Sequence, residues 1–120
     1  MQDYHNVLVW KRAMEFVTLV YRLTAHFPQE ELYGLTSQLR RASVSVISNI
    51  VEGRGKSSDK DFLRFLYIAK GSLNESQCQL EIALALEFIF QEQFDFILNK
   101  LNEVGFLLYK LIISLEKKPS

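Results

Sequence analysis

At 120 residues, with 48% hydrophobic and 23% charged side chains, the chain is long enough to bury one core as a single globular domain, residues 1–120. Its one cysteine, Cys78, excludes an intramolecular disulfide framework. No charged-then-apolar leader and no apolar run near the roughly 18–20 residues of a membrane span is present, so a cytoplasmic protein is expected.

The formal net charge is zero, yet residues 1–71 hold ten Lys and Arg against seven Asp and Glu, while residues 72–120 hold four against seven. Asymmetry of this kind can mark a basic partner-binding face, although solvated helices carry charges for no further reason. No segment alternates as a strand would, and helical periodicity covers most of the sequence. The expected fold class is all-α, an antiparallel up-and-down four-helix bundle.

A first helix is expected over about Val7 to Ala25, with a polar stripe at Lys11, Glu15, Thr18 and Arg22 and apolar residues over much of the rest. Phe27-Pro28 ends it, because proline disfavours helical geometry at the residue before it. A connection over Gln29 to Gly34 leads to a second helix, about Leu35 to Glu52. There Leu39, Ala42, Val46 and Ile50 step by three and four, whereas Ser43, Ser45, Ser48 and Asn49 replace the usual Leu or Ala. Small polar residues in such a helix allow a close backbone approach and leave hydroxyls and an amide that need partners.

Gly53 to Ser58 reads as a loop. Ser58 with Asp61 resembles a capping box, and Asp59 and Asp61 suit the positive end of a helix dipole. The third helix is expected over Asp59 to Phe88, with a seam of Phe62, Phe65, Leu66, Ala69, Leu73, Leu80 and Ala83. Gly71, inside that span, costs about 1 kcal/mol against Ala, which suggests close packing at that point. The next turn is placed near Gln91-Glu92-Gln93. The fourth helix, Gln93 to Glu116, carries Ile97, Leu101, Val104, Leu108, Leu111 and Leu115 at heptad spacing. Leu98, Phe106, Leu107, Tyr109, Ile112 and Ile113 are apolar outside that seam. One bundle core does not readily bury both sets, and exposed apolar patches mark partner surfaces, so self-association is expected.

Motifs for catalysis are weak. Gly55-Lys56-Ser57 lacks the second glycine and the preceding strand of a phosphate-binding loop. Ser57 and Lys60 have Ser-x-x-Lys spacing without any supporting motif. No Glu-x-x-His pair suggests a di-iron bundle site. His5 precedes the first helix, His26 is expected to meet that helix's last carbonyls, and Cys78 is expected to be a small buried residue. No catalytic residue, metal site or cofactor is assigned. The basic residues are more informative. Arg40, Arg41, Arg54, Lys56, Lys60 and Arg64 surround one helix–loop–helix junction, where they can neutralise phosphates without reading sequence or pair with Glu30, Glu31, Glu52, Asp59 and Asp61.

The ordered set Trp10-Lys-Arg-Ala-Met14, Tyr21-Arg-Leu-Thr24, Phe27-Pro28, Tyr33-Gly-Leu-Thr-Ser-Gln-Leu-Arg-Arg-Ala42, Ser45, Asn49-Ile50, Glu52-Gly53, Phe65-Leu66, Ala69 and Gly71-Ser-Leu73 resembles the four-helix bundle family encoded in intervening sequences of bacterial 23S ribosomal RNA genes. That family is labelled S23 ribosomal protein. The resemblance implies a ring-like homopentamer without enzymatic activity. It also implies kinship with the accessory protein of diversity-generating retroelements, which engages nucleic acid and a reverse transcriptase. The chain departs from the family pattern at Ile47, where proline is common, at Val51, where alanine is common, at Gln77-Cys78-Gln79, and in its neutral charge.

Two functions are compatible with these features. One is a homo-oligomeric adaptor binding RNA or other nucleic acid through the six basic residues. The other is a structural or protein-interaction module without nucleic acid. Within the arginine pair, Arg40 aligns with Val44, Ile47 and Val51 and is expected to reach across a subunit boundary toward Glu30 or Glu31. Arg41, on a polar line with Ser45, Ser48 and Glu52, is the one expected to meet phosphate.

Overall fold

The structure, a computed structural model, describes residues 4–118. Four helices follow in order, α1 (Tyr4–Thr24), α2 (Leu35–Arg54), α3 (Asp59–Ala85) and α4 (Gln91–Glu116), with a single 3₁₀ turn at Gln29–Glu31 between the first two. Each helix packs on its neighbours in sequence and α4 closes on α1. The short connections make all neighbours antiparallel. The result is an elongated bundle of 48 × 25 × 21 Å. No strand occurs among the described residues.

The core follows the seams read from periodicity. Phe16 and Val20 of α1, Leu39, Val46 and Ile50 of α2, Leu66 and Leu80 of α3 and Val104 and Leu108 of α4 are all fully buried or nearly so. On α4 the six heptad residues are all buried. The second apolar set of α4 is absorbed more than expected: Ile112 joins the core, Leu98 and Leu107 pack against it, and of the set only Phe106 and Tyr109 are exposed.

The tightest helix pair is α2 with α3. The Ser45 and Ser72 hydroxyls hydrogen-bond at 2.8 Å across the pair, and Asn49 Nδ2 donates to the Ser45 carbonyl and hydroxyl at 2.8 and 3.1 Å. Ser43 and Ser76, both fully buried, donate to the carbonyls of Arg40 and Ser72 at 2.9 Å. A methyl group on Gly53 would fall 2.8 Å from Phe62 Cδ1 and 2.9 Å from Phe65 Cβ. Small side chains therefore set the interhelix spacing here, and their polar atoms find partners inside the pair.

Several expectations need correction. Gly71 does not mark close packing, because a Cβ there meets nothing within 4 Å. Cys78 is exposed, not buried. Ser76 and Gln79 take the buried positions beside it, since 100° per residue turns Cys78 away from the seam. His26 is exposed and its ring makes no hydrogen bond among the described residues; the Tyr21, Leu23 and Thr24 carbonyls are taken by the backbone N–H groups of Ala25, His26 and Phe27. His5 does not precede α1, which starts at Tyr4; its side chain lies outside the described residues.

The third turn comes earlier than Gln91-Glu92-Gln93. Helix α3 ends at Ala85 with Leu86 as its C-cap, and Glu87 adopts the left-handed conformation with φ 62°. Phe88 N–H bonds the Ala83 carbonyl at 2.9 Å and Glu87 N–H bonds the Leu84 carbonyl at 3.0 Å. These two bonds are a Schellman motif with glutamate where glycine is usual. Gln93 is then the third residue of α4, and its side-chain carbonyl accepts from Phe90 N–H at 2.8 Å. At α3's start the Ser58 hydroxyl accepts from Asp61 N–H at 3.1 Å, as the capping pattern suggests.

Candidate nucleic-acid interface

The six basic residues do not form one cluster. Arg41 lies in the second turn of α2 and Arg54 is its last residue, about 20 Å apart at 1.5 Å per residue. Arg54, Lys56, Lys60 and Arg64 gather where α2 turns into α3. Lys56 Nζ lies 5.2 Å from the centre of the half-buried Phe65 ring and Arg64 Cζ lies 4.7 Å from it. Two cations are thereby held on one aromatic ring, an arrangement that fixes their positions and keeps their charge available. The acids of this end are partly matched: Asp59 pairs with Lys118 at 3.7 Å and Asp61 approaches Arg64 at 4.0 Å. Among the described residues, Arg54, Lys56 and Lys60 enter no ion pair.

At the other end, Arg40 is committed within its own chain. Its Nε donates to Thr24 Oγ1 at 2.8 Å, a terminal nitrogen approaches the Tyr21 carbonyl at 3.5 Å, and Cζ sits 4.7 Å over the Tyr21 ring. Glu31, one of the two partners expected for it across a subunit boundary, has a carboxylate oxygen accepting from Leu35 N–H at 3.1 Å at the start of α2. Arg41 points away and is exposed, beside a groove between α2 and α3 that includes Tyr33, Ser37, Gln38, Ser45, Ser72 and Glu75. Tyr33, quoted above only within the family motif, was not among the candidate binding residues read from sequence. Its signal is exposure, which periodicity cannot report inside a turn.

Arg40 also ends an apolar stripe. Trp10, Met14, Val17 and Tyr21 on α1 and Arg40, Val44, Ile47 and Val51 on α2 each step by four, three and four. Tyr21 meets Arg40, so the antiparallel register carries Val17 toward Val44, Met14 toward Ile47 and Trp10 toward Val51. Trp10, Met14, Tyr21, Val44 and Val51 are exposed. The outer face of the α1–α2 pair is thus apolar along most of its length.

The model of the 23S rRNA-intervening sequence protein family matches residues 5–110. The chain belongs to that family. A crystal structure of a protein of unknown function from the S23 ribosomal protein family of Bacteroides thetaiotaomicron is similar to this family member, with a TM-score of 0.84 and 28% identity over 90% of this chain and 97% of that one. No curated protein matches it. The intervening-sequence protein has no helix, among its described residues, long and apolar enough to cross a membrane. Among the same residues no group of three or more His, Cys, Asp or Glu could hold a metal ion.

Proposed function

We propose that this intervening-sequence protein is a non-catalytic, self-associating bundle that binds RNA through the basic surface where α2 meets α3. The observation that supports this reading is the pair of cations, Lys56 and Arg64, held on Phe65 beside Arg54 and Lys60. Cations fixed on a rigid helix junction neutralise phosphates at low entropic cost, and they do so without reading sequence. Arg41 adds a separate cation toward the other end of α2. Arg40 is the least available of the six, because its guanidinium already braces the end of α1.

Assembly rests on the α1–α2 stripe, an exposed apolar strip too ordered for scattered surface residues. A closed ring requires each copy to present two different faces. The stripe and the Phe106 and Tyr109 face of α4, on the opposite side of the bundle, supply two. We take a homopentamer as the assembly.

The test uses fluorescence anisotropy with a structured RNA and light scattering on the same samples. Wild type binds with an affinity that falls steeply with salt and scatters as an oligomer. Met14→Lys lowers the scattering mass. Assembly without RNA binding at low salt would instead favour a protein-docking module, for which the same stripe is the supporting surface.

A further inference from the structure

The groove beside Arg41 combines groups that the basic junction lacks. Its volume of about 480 Å³ is in the range of sites that take small organic ligands. Tyr33, 92% exposed, is among the lining residues and stands at the groove's edge. The Arg41 guanidinium, in no ion pair among the described residues, and the Glu75 carboxylate also line it.

Two of the lining hydroxyls are Ser45 and Ser72, 2.8 Å apart. Ser45 Oγ already accepts from Asn49 Nδ2 at 3.1 Å. Two hydroxyls bonded to each other spend one of their two protons. Whichever serine donates, the other keeps an O–H that no described side chain takes. The groove therefore offers a cation, a hydroxyl donor, a carboxylate acceptor and an aromatic face within one depression.

A bare phosphate fits this set poorly, because the carboxylate repels it. A ligand with an anion at one end, a flat ring and N–H donors at the other satisfies the cation, the aromatic face and the carboxylate, and an acceptor atom on its ring or sugar would take the serine hydroxyl. We propose that the groove takes an unpaired nucleotide of an RNA strand, with its base on Tyr33, its phosphate on Arg41 and the base's N–H edge toward Glu75. Unpaired bases are the ones proteins stack on aromatic side chains, since a duplex hides their faces. Tyr33 supplies the stacking surface and Arg41 the charge, as in other single-strand platforms.

This inference rests on the RNA-binding reading and is tested apart from it. Anisotropy is measured with a labelled unstructured RNA oligonucleotide and a labelled blunt RNA duplex, with free nucleoside monophosphate as competitor. Tyr33→Ala weakens binding of the unpaired strand by about 5- to 160-fold, the range of one lost stacking contact. It leaves duplex binding unchanged, and Tyr33→Phe restores the loss. Salt-sensitive binding by wild type with an inert Tyr33→Ala overturns the groove site and leaves the basic junction standing. A lower scattering mass for Tyr33→Ala makes the ring a subunit contact and overturns the site as well. Displacement of the strand by equimolar free nucleotide makes the ligand a soluble nucleotide and overturns the strand assignment. No binding of any RNA by wild type at low salt overturns both readings.

Discussion

Arg40 Nε donates to the Thr24 hydroxyl at 2.8 Å while the guanidinium lies 4.7 Å over the Tyr21 ring. One side chain of α2 thereby ties down the C-terminal turn of α1, where a cation is favoured by the helix dipole. Thr24 keeps its own bond to the Val20 carbonyl at 2.7 Å, so removing the arginine strands no hydroxyl proton. Arg40→Ala is expected to cost about 1–2 kcal/mol, through a lost charged hydrogen bond and stacking contact. Arg41→Ala, on the exposed line, is expected to stay within about 0.5 kcal/mol. Urea unfolding of both variants checks the difference, and equal losses would remove Arg40's bracing role.

Two glycines predict opposite signs. Gly53→Ala places a methyl group at 2.8–2.9 Å from Phe62 and Phe65 and is expected to destabilise by about 1–3 kcal/mol through overpacking. Gly71→Ala enters open space and is expected to stabilise by up to about 1 kcal/mol from helix propensity. Thermal unfolding of the two variants should move in opposite directions.

Glu87 holds φ 62° in the turn between α3 and α4. A residue with a Cβ pays about 1 kcal/mol or more in that conformation, and glycine does not. Glu87→Gly is expected to raise stability by about 0.5–1 kcal/mol in urea unfolding, with the glycine's greater chain entropy taking back part of the gain.

Tyr67 donates its phenolic proton to Glu116, joining α3 to the end of α4. That bond, with burial and the carboxylate's charge as lesser causes, raises the Tyr67 pKa above 10.0. A raised folded-state pKa means that the stabilisation is complete below the unfolded value and disappears as pH rises through the folded one. Absorbance titration should show a tyrosine ionising above pH 10.0, and Tyr67→Phe should abolish that step and reduce alkaline sensitivity.

Most of the bundle is legible in the sequence because seams such as Ile97-Leu101-Val104-Leu108 encode which face is inside. The close α2–α3 contact is legible too, in Ser43, Ser45 and Asn49, whereas Gly53, which reads as loop, lies buried inside α2. The α3–α4 turn is not, because its left-handed position carries Glu87 where local chemistry would ask for Gly. Cys78 and Gly71 mislead for a different reason: residue type suggests burial, whereas helical phase decides it. The basic set is legible as composition but not as geometry, since neighbours in sequence separate along α2. The double stripe of α1 and α2 requires knowing that Tyr21 faces Arg40, which no single helix reports.

The central claim is that Lys56, Lys60 and Arg64 present charge to RNA phosphates. The most direct test is the slope of log affinity against log salt for a structured RNA, measured by anisotropy on wild type and on a variant with all three replaced by alanine. Each phosphate contact contributes close to one unit of slope, so the variant should bind more weakly and its slope should shrink by about 3. An unchanged slope with unchanged affinity would contradict the assignment of this surface to RNA.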